Sequence, residues 1–149
     1  MQFTTTERKT INKALRIISS KMLTTPFITS SADTREYLTL NLATQLSEVF
    51  VVIFLSNQHQ VIAMDEMFRG TIDAAAVYPR EVVRAALTHN AAAVIFAHNH
   101  PSGIAEPSQA DISITRKLKS ALELIDVRTL DHVIVGGKHT TSLAERGLL

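Results

Sequence analysis

His98, Asn99, His100 and Pro101 close an apolar run over residues 91–97, and Asp111 follows ten positions after the proline. In an extended chain, side chains two apart fall on the same face, so His98 and His100 can point at one ion. Pro101 and Gly103 then break the strand, and Ser108 opens a helical pattern with Asp111 in its first turn. Two imidazoles and a carboxylate suffice to hold zinc and leave its fourth position for water, the arrangement of a hydrolytic site. Each part also has a plainer reading. Ser108-Gln109-Ala110-Asp111 fits the Ser-x-x-acid pattern that marks a helix start. A single histidine is more often a hydrogen-bonded structural residue than a ligand. The coincidence of His-x-His-Pro, a tight loop and an acid in the next helix favours the metal, and Ser108 can cap the helix while still facing it.

Water activated at such a site needs a proton acceptor, and Glu48 is the candidate. It stands at the head of the apolar, β-branched run 49–55, where a buried carboxylate is costly unless it has a role or a partner. An exposed charge flanking a strand is the other reading of this position.

The elements that must position these groups follow from periodicity. Residues 49–55 read as a strand buried on both faces, 56–59 as a turn with His59 solvated in it, and 60–68 as the return strand, ended by Gly70-Thr71. Upstream, Ile11, Leu15, Ile18 and Met22 form one stripe of a helix over 5–22, with Ala14 and Ile17 beside it and Pro26 ending it. A second helix starts near Asp33 and buries Tyr37, Leu38 and Leu42. Pro79 suits the first turn of a helix to about His89, with Val82, Val83 and Ala86 inward and Asn90 as its stop. A short strand, 92–97, delivers the two histidines.

Beyond Asp111, Ile114, Leu118, Ala121, Leu122 and Ile125 make an apolar stripe, with Arg116, Lys117, Lys119 and Glu123 facing out. Residues 127–135 read as a strand, Gly136-Gly137 as a hairpin turn and 140–143 as a short return strand. Strands alternating with helices predict a single α/β domain, a mixed β-sheet with flanking helices. Residues 1–30 are then an N-terminal helix and connector, and 31–149 the domain itself. His132 is expected as a hydrogen-bonded structural histidine, with a place behind the metal as the alternative. His139 is expected to be exposed in its turn.

Composition narrows the function classes. With 46% hydrophobic and 19% charged residues, the chain of 149 buries a substantial core and is not disordered. Fifteen basic against 14 acidic side chains give a net charge of +1, no overall electrostatic case for nucleic acid or membrane. There is no cysteine, so any zinc must use histidine and carboxylate. No signal-peptide core and no membrane-spanning apolar run are seen, which predicts a cytoplasmic chain.

Glu48, His98-Asn99-His100-Pro101 and Ser108-Gln109-Ala110-Asp111 together resemble the JAMM (MPN+) metalloprotease signature. The bacterial RadC-like branch is the closer resemblance. Phe68-Arg69-Gly70-Thr71, Tyr78-Pro79-Arg80-Glu81-Val82, the block 97–111 and Leu130-Asp131-His132 carry it, over about residues 35–149. The resemblance implies a cytidine-deaminase-like α/β fold with the metal at the edge of a mixed sheet. It implies His98, His100 and Asp111 as zinc ligands and Glu48 as general acid/base. Ser108 would stabilise the oxyanion formed when water attacks an amide carbonyl.

Two departures bear on substrate. Six residues separate Pro101 from Ser108, one fewer than in the eukaryotic deubiquitinase pattern, which argues against ubiquitin-type specificity. Asn99 replaces the usual Ser or Thr, as it does in the RadC-like branch. Full-length RadC-like proteins carry a helix-hairpin-helix region before this domain. Here the helix 5–22, without a Gly-rich hairpin, resembles the short form of prophages and mobile elements.

The expected activity is a zinc metallohydrolase cleaving a peptide or isopeptide bond in a protein or peptide tail. A nucleic-acid processing or repair factor is the first competing class. It rests on the family label and on Arg69, Arg80, Arg84, Arg116, Lys117 and Lys119, which read as solvated helix faces without interleaved aromatics. The tripeptide His98-Asn99-His100 is not the HNH nuclease motif, whose named residues are separated along a ββα unit. A non-catalytic interaction module is the second class, and such a module has no need of Glu48.

Overall fold

An uninterrupted run of β-branched and aromatic side chains makes Glu48–Leu55 the strand β1, buried at every position after Glu48. The computed structural model describes residues 3–22, 31–70 and 77–149. Within them follow β2 (Val61–Gly70), β3 (Ala93–Asn99), β4 (Arg128–Gly136) and β5 (His139–Ser142). The helices are α1 (Thr5–Met22), α2 (Ser31–Leu42), α3 (Pro79–Thr88) and α4 (Gln109–Glu123). Sheet order is β2-β1-β3-β4-β5, so β3 is the central strand. β3 and β4 run parallel and the other neighbours antiparallel. A parallel pair needs a crossover, and α4 supplies it.

Period-two alternation sorts the strand residues onto two covered faces. On one, Val82 and Ala86 of α3 and Ile114, Leu118 and Leu122 of α4 pack on Phe50, Val52, Phe54, Val94 and Phe96. On the other, Leu38 and Leu42 of α2 meet Val49, Val51, Ile53, Ala93, Ile95 and Ala97. Each Val, Leu, Ile or Phe among them contributes about 1.5–3 kcal/mol by leaving water, so both faces hold the sheet in place. α1 packs against α2, and its stripe is only half covered: Ile11, Leu15 and Ile18 are half-buried and Ile17 is exposed.

The expected single α/β domain with a mixed sheet is what forms, with several boundaries moved. β2 runs two residues past Phe68, and Gly70 is its last residue and pairs with Glu48. β3 extends to Asn99, so His98 is a strand residue opposite Phe50. Gly136 ends β4 and pairs with His139, the first residue of β5, which leaves Gly137 and Lys138 as the turn. His59 is half-buried rather than solvated, at φ 60° with Nε2 shielded and unpartnered. Pro26, the boundary expected at residue 30, Thr71 and the side chain of Met22 lie outside the described residues. Among the described residues, no helix is long and apolar enough to cross a membrane.

Candidate metal centre

β3 carries His98 to its carboxyl end, His100 begins the loop beyond it, and α4 returns Asp111 in its first turn. The carboxyl ends of strands are where open α/β sheets place ligands. The resemblance placed the metal at the edge of the sheet; the three residues instead meet at the end of its middle strand. His98 Nε2 lies 2.9 Å from His100 Nε2 and 3.2 Å from Asp111 Oδ1, and His100 Nε2 lies 3.4 Å from Asp111 Oδ2. Among the described residues, these three form the group that could hold a metal ion, with ligand atoms all within 4.8 Å of one another.

The loop between the histidines and α4 fixes His100. Its Nδ1 donates to the Ile104 carbonyl at 2.8 Å, so in the neutral ring Nε2 presents a lone pair to Asp111 and His98. Ile104 can reach His100 because the loop lies directly on Gly136. A Cβ there would fall 2.4 Å from Ala105 N and 2.6 Å from the Ile104 carbonyl carbon. The sequence suggested a turn role for Gly136; its role is this close approach. Ala105 then packs with Ile134 and Leu143, anchoring the loop.

Electrostatics at the cluster favour a cation. Burial works to raise the Asp111 carboxyl, but hydrogen bonds from His100 and His98 hold it well below the usual carboxylate range. Its hydrogen bond to Asp111 raises His100 above the ordinary imidazole value against the effect of burial, and the charges of Asp111 and Glu48 add to the rise. The negative field that attracts a proton here attracts a metal cation too.

Asp111 also closes a capping box. Ser108 Oγ accepts from Asp111 N at 3.1 Å, and Asp111 Oδ2 accepts from both the Ser108 amide and the Ser108 hydroxyl at 2.7 Å. The two readings of Ser108 therefore meet at one carboxylate, since the hydroxyl proton that could reach a substrate oxygen is held by Asp111. As a cap alone, Ser108→Ala is expected to cost about 0.5–2 kcal/mol of stability and leave turnover per folded molecule intact. As an oxyanion donor it costs about 10²–10³ in turnover. Both losses are expected; denaturant melts paired with turnover per folded molecule separate them, and unchanged turnover leaves only the cap.

Glu48 stands two residues before Phe50, on the same face of β1, and Phe50 faces His98 across the β1–β3 pair. It is half-buried, and its influence on His100 puts it within electrostatic reach of the cluster. Asn99, which the sequence marked only as a departure, has a clear task. Its buried amide accepts from Val49 N at 2.8 Å and donates to Ser47 O at 3.0 Å. It thereby clamps the backbone on both sides of Glu48 to the strand that carries His98. Its carboxamide offers a separate acceptor and donor for the two bonds.

His132 is the residue sequence reasoning underrated. It is fully buried, and its Nε2 lies 2.8 Å from His98 Nδ1. Its Nδ1 meets the Thr115 hydroxyl, which also bonds the Asp111 carbonyl. Burial, with the charge of His98 adding to it, pushes His132 well below the ordinary imidazole value, so it is neutral. Phe50 backs both rings, 6.1 Å from His98 and 5.4 Å from His132 between centroids. The neighbouring Asp131 has a purely structural role: it accepts from Ser142 Oγ at 2.7 Å and Ala144 N at 3.0 Å, tying down the chain after β5. His139 is exposed and away from these contacts.

Comparison with known proteins agrees with this arrangement. The RadC-like JAB domain matches residues 28–148. A UPF0758 protein of Marinobacter nauticus is 67% identical over 120 residues, covering 80% of this chain and 54% of its own length. One of Cellvibrio japonicus is 57% identical over 139 residues, 93% of this chain and 62% of its own. One of Vibrio cholerae is 53% identical over 143 residues, 96% of this chain and 90% of its own. The chain thus spans little more than half the length of the first two. Since the match runs through the strand, the loop and the helix that assemble His98, His100 and Asp111, the chain belongs to the RadC-like JAB domain family.

Proposed function

We propose that this chain is a zinc-dependent hydrolase of peptide or isopeptide bonds, with His98, His100 and Asp111 holding the ion. One observation carries the reading: two imidazole nitrogens and a carboxylate converge while a further carboxylate, Glu48, stands nearby outside the group. The donor set suits zinc, and three protein ligands leave one position open, as catalytic zinc sites do and closed structural ones do not. When bound, zinc supplies Lewis-acid chemistry, polarising a carbonyl and acidifying water. Glu48 takes the proton of the attacking water as its oxygen bonds the carbonyl carbon. It then passes that proton to the amide nitrogen as the C–N bond breaks. Ser108 turns its hydroxyl from Asp111 toward the carbonyl oxygen as charge develops there.

A flexible protein tail suits the position of the site. A peptide added to the outer edge of β2 lies two strand spacings, about 10 Å, from β1 with Glu48, and three, about 14 Å, from β3. Strand addition there does not bring a bond to Glu48, so the tail crosses the ends of β1 and β3 instead. The nucleic-acid reading loses support, because Arg69 pairs with Glu66, and Arg80 and Arg84 with Glu81. A net charge of +1 also gives little counterion-release drive toward DNA.

The test offers the protein peptide libraries and single- and double-stranded DNA, with Glu48→Gln as control. The expected result is Glu48-dependent amide cleavage, with DNA binding that fades at physiological salt. Glu48-dependent DNA cleavage, or tight DNA binding at that salt, makes the nucleic-acid reading the better one.

A further inference from the structure

We infer that Thr115 and His132 form a buried relay that fixes the tautomer of His98 and so tunes how tightly the centre holds its ion. The inference rests on the metal reading of His98, His100 and Asp111 and assigns positioning roles to two residues outside that group.

The assignment follows from counting donors. Thr115 Oγ1 lies within hydrogen-bond distance of both the Asp111 carbonyl and His132 Nδ1. A carbonyl oxygen can only accept, so the single hydroxyl proton of Thr115 goes to it, four residues back along α4. The hydroxyl oxygen must then accept from His132, which places the His132 proton on Nδ1. Thr115 and His132 are wholly buried, with no solvent to carry a second proton's charge on His132. His132 Nε2 is therefore an acceptor, and the 2.8 Å contact makes His98 Nδ1 its donor. That leaves His98 Nε2 as the ring atom turned to His100 and Asp111, where a metal ion would take the place of any proton shared with the carboxylate.

The chain of bonds starts at the backbone of Asp111 and returns to its carboxylate, joining α4, β4 and β3 through Thr115, His132 and His98. The two histidines are thus oriented by different means. His100 is held in one step by the Ile104 carbonyl in an exposed loop, and His98 in two steps through the core. Partners of this kind raise ligand basicity and fix ring orientation, and their loss lowers metal affinity by about 10–100-fold.

The experiment reads the histidine tautomers of metal-free protein by side-chain nitrogen NMR at mildly alkaline pH, then zinc affinity by competition with a chelating indicator. In the unaltered chain, His132 is expected to carry its proton on Nδ1 with Nε2 bare, and His98 to carry a proton on Nδ1. A proton on His132 Nε2, or a bare His98 Nδ1, overturns the relay, and no substitution is needed to see it. Thr115→Val keeps the shape and removes the acceptor, while the Asp111 carbonyl retains its helical partner. This variant is expected to lose the single-tautomer pattern and about 10–100-fold in zinc affinity. Thr115→Ser is expected to restore both. Unchanged affinity in folded Thr115→Val overturns the tuning role. Failure of the metal reading has a different signature: no zinc bound by the unaltered chain, whatever its tautomers.

Discussion

Glu48→Gln is expected to keep its zinc and its fold while hydrolysis falls by about 10²–10⁴-fold, the usual contribution of a positioned general base. The substitution preserves the shape of the side chain and removes its affinity for a proton. The backbone around it does not depend on the charge, because Asn99 clamps Ser47 and Val49 and the residue pairs with Gly70 of β2. Zinc content and turnover measured on one preparation decide the matter. If the variant loses its metal as completely as a ligand variant does, Glu48 is a ligand or its support and not the base.

Removing either histidine is expected to abolish activity by releasing the ion, but with unequal cost to the fold. The His100 side chain is 16% exposed, at the start of a loop where water can take its place, so His100→Ala loses metal at the smaller cost in stability. The His98 side chain is 1% exposed, and its truncation leaves His132 Nε2 without its partner. An orphaned buried polar group costs about 1–3 kcal/mol, so His98→Ala unfolds at measurably lower denaturant. Equal denaturation midpoints for the two variants contradict the inward bond to His132. Zinc retained by both places the centre elsewhere.

Much of this was legible along the chain because local chemistry dictated it. The apolar run before His98 makes a buried strand wherever it packs, and Ser108 with Asp111 caps α4 by contacts three residues apart. What was not legible depends on register between distant segments. His132 reaches His98 only because the α4 crossover sets β4 parallel to β3 with Phe96 opposite His132. Thr115 joins them from the inner face of α4, where it reads as an ordinary polar residue beside the apolar stripe. Asn99 spans from β3 to the backbone beside Glu48, and nothing at position 99 alone indicates what lies across the sheet. Gly136 looked like a turn glycine because a close approach leaves the same mark in sequence as a bend.

The measurement that bears most directly on the account is the metal content of the unaltered protein, purified without chelators or a metal-affinity step. Elemental analysis is expected to find close to one zinc per chain, lost on His100→Ala and kept on Glu48→Gln. Protein that carries no transition metal and takes up none from zinc-containing buffer contradicts the centre proposed at His98, His100 and Asp111.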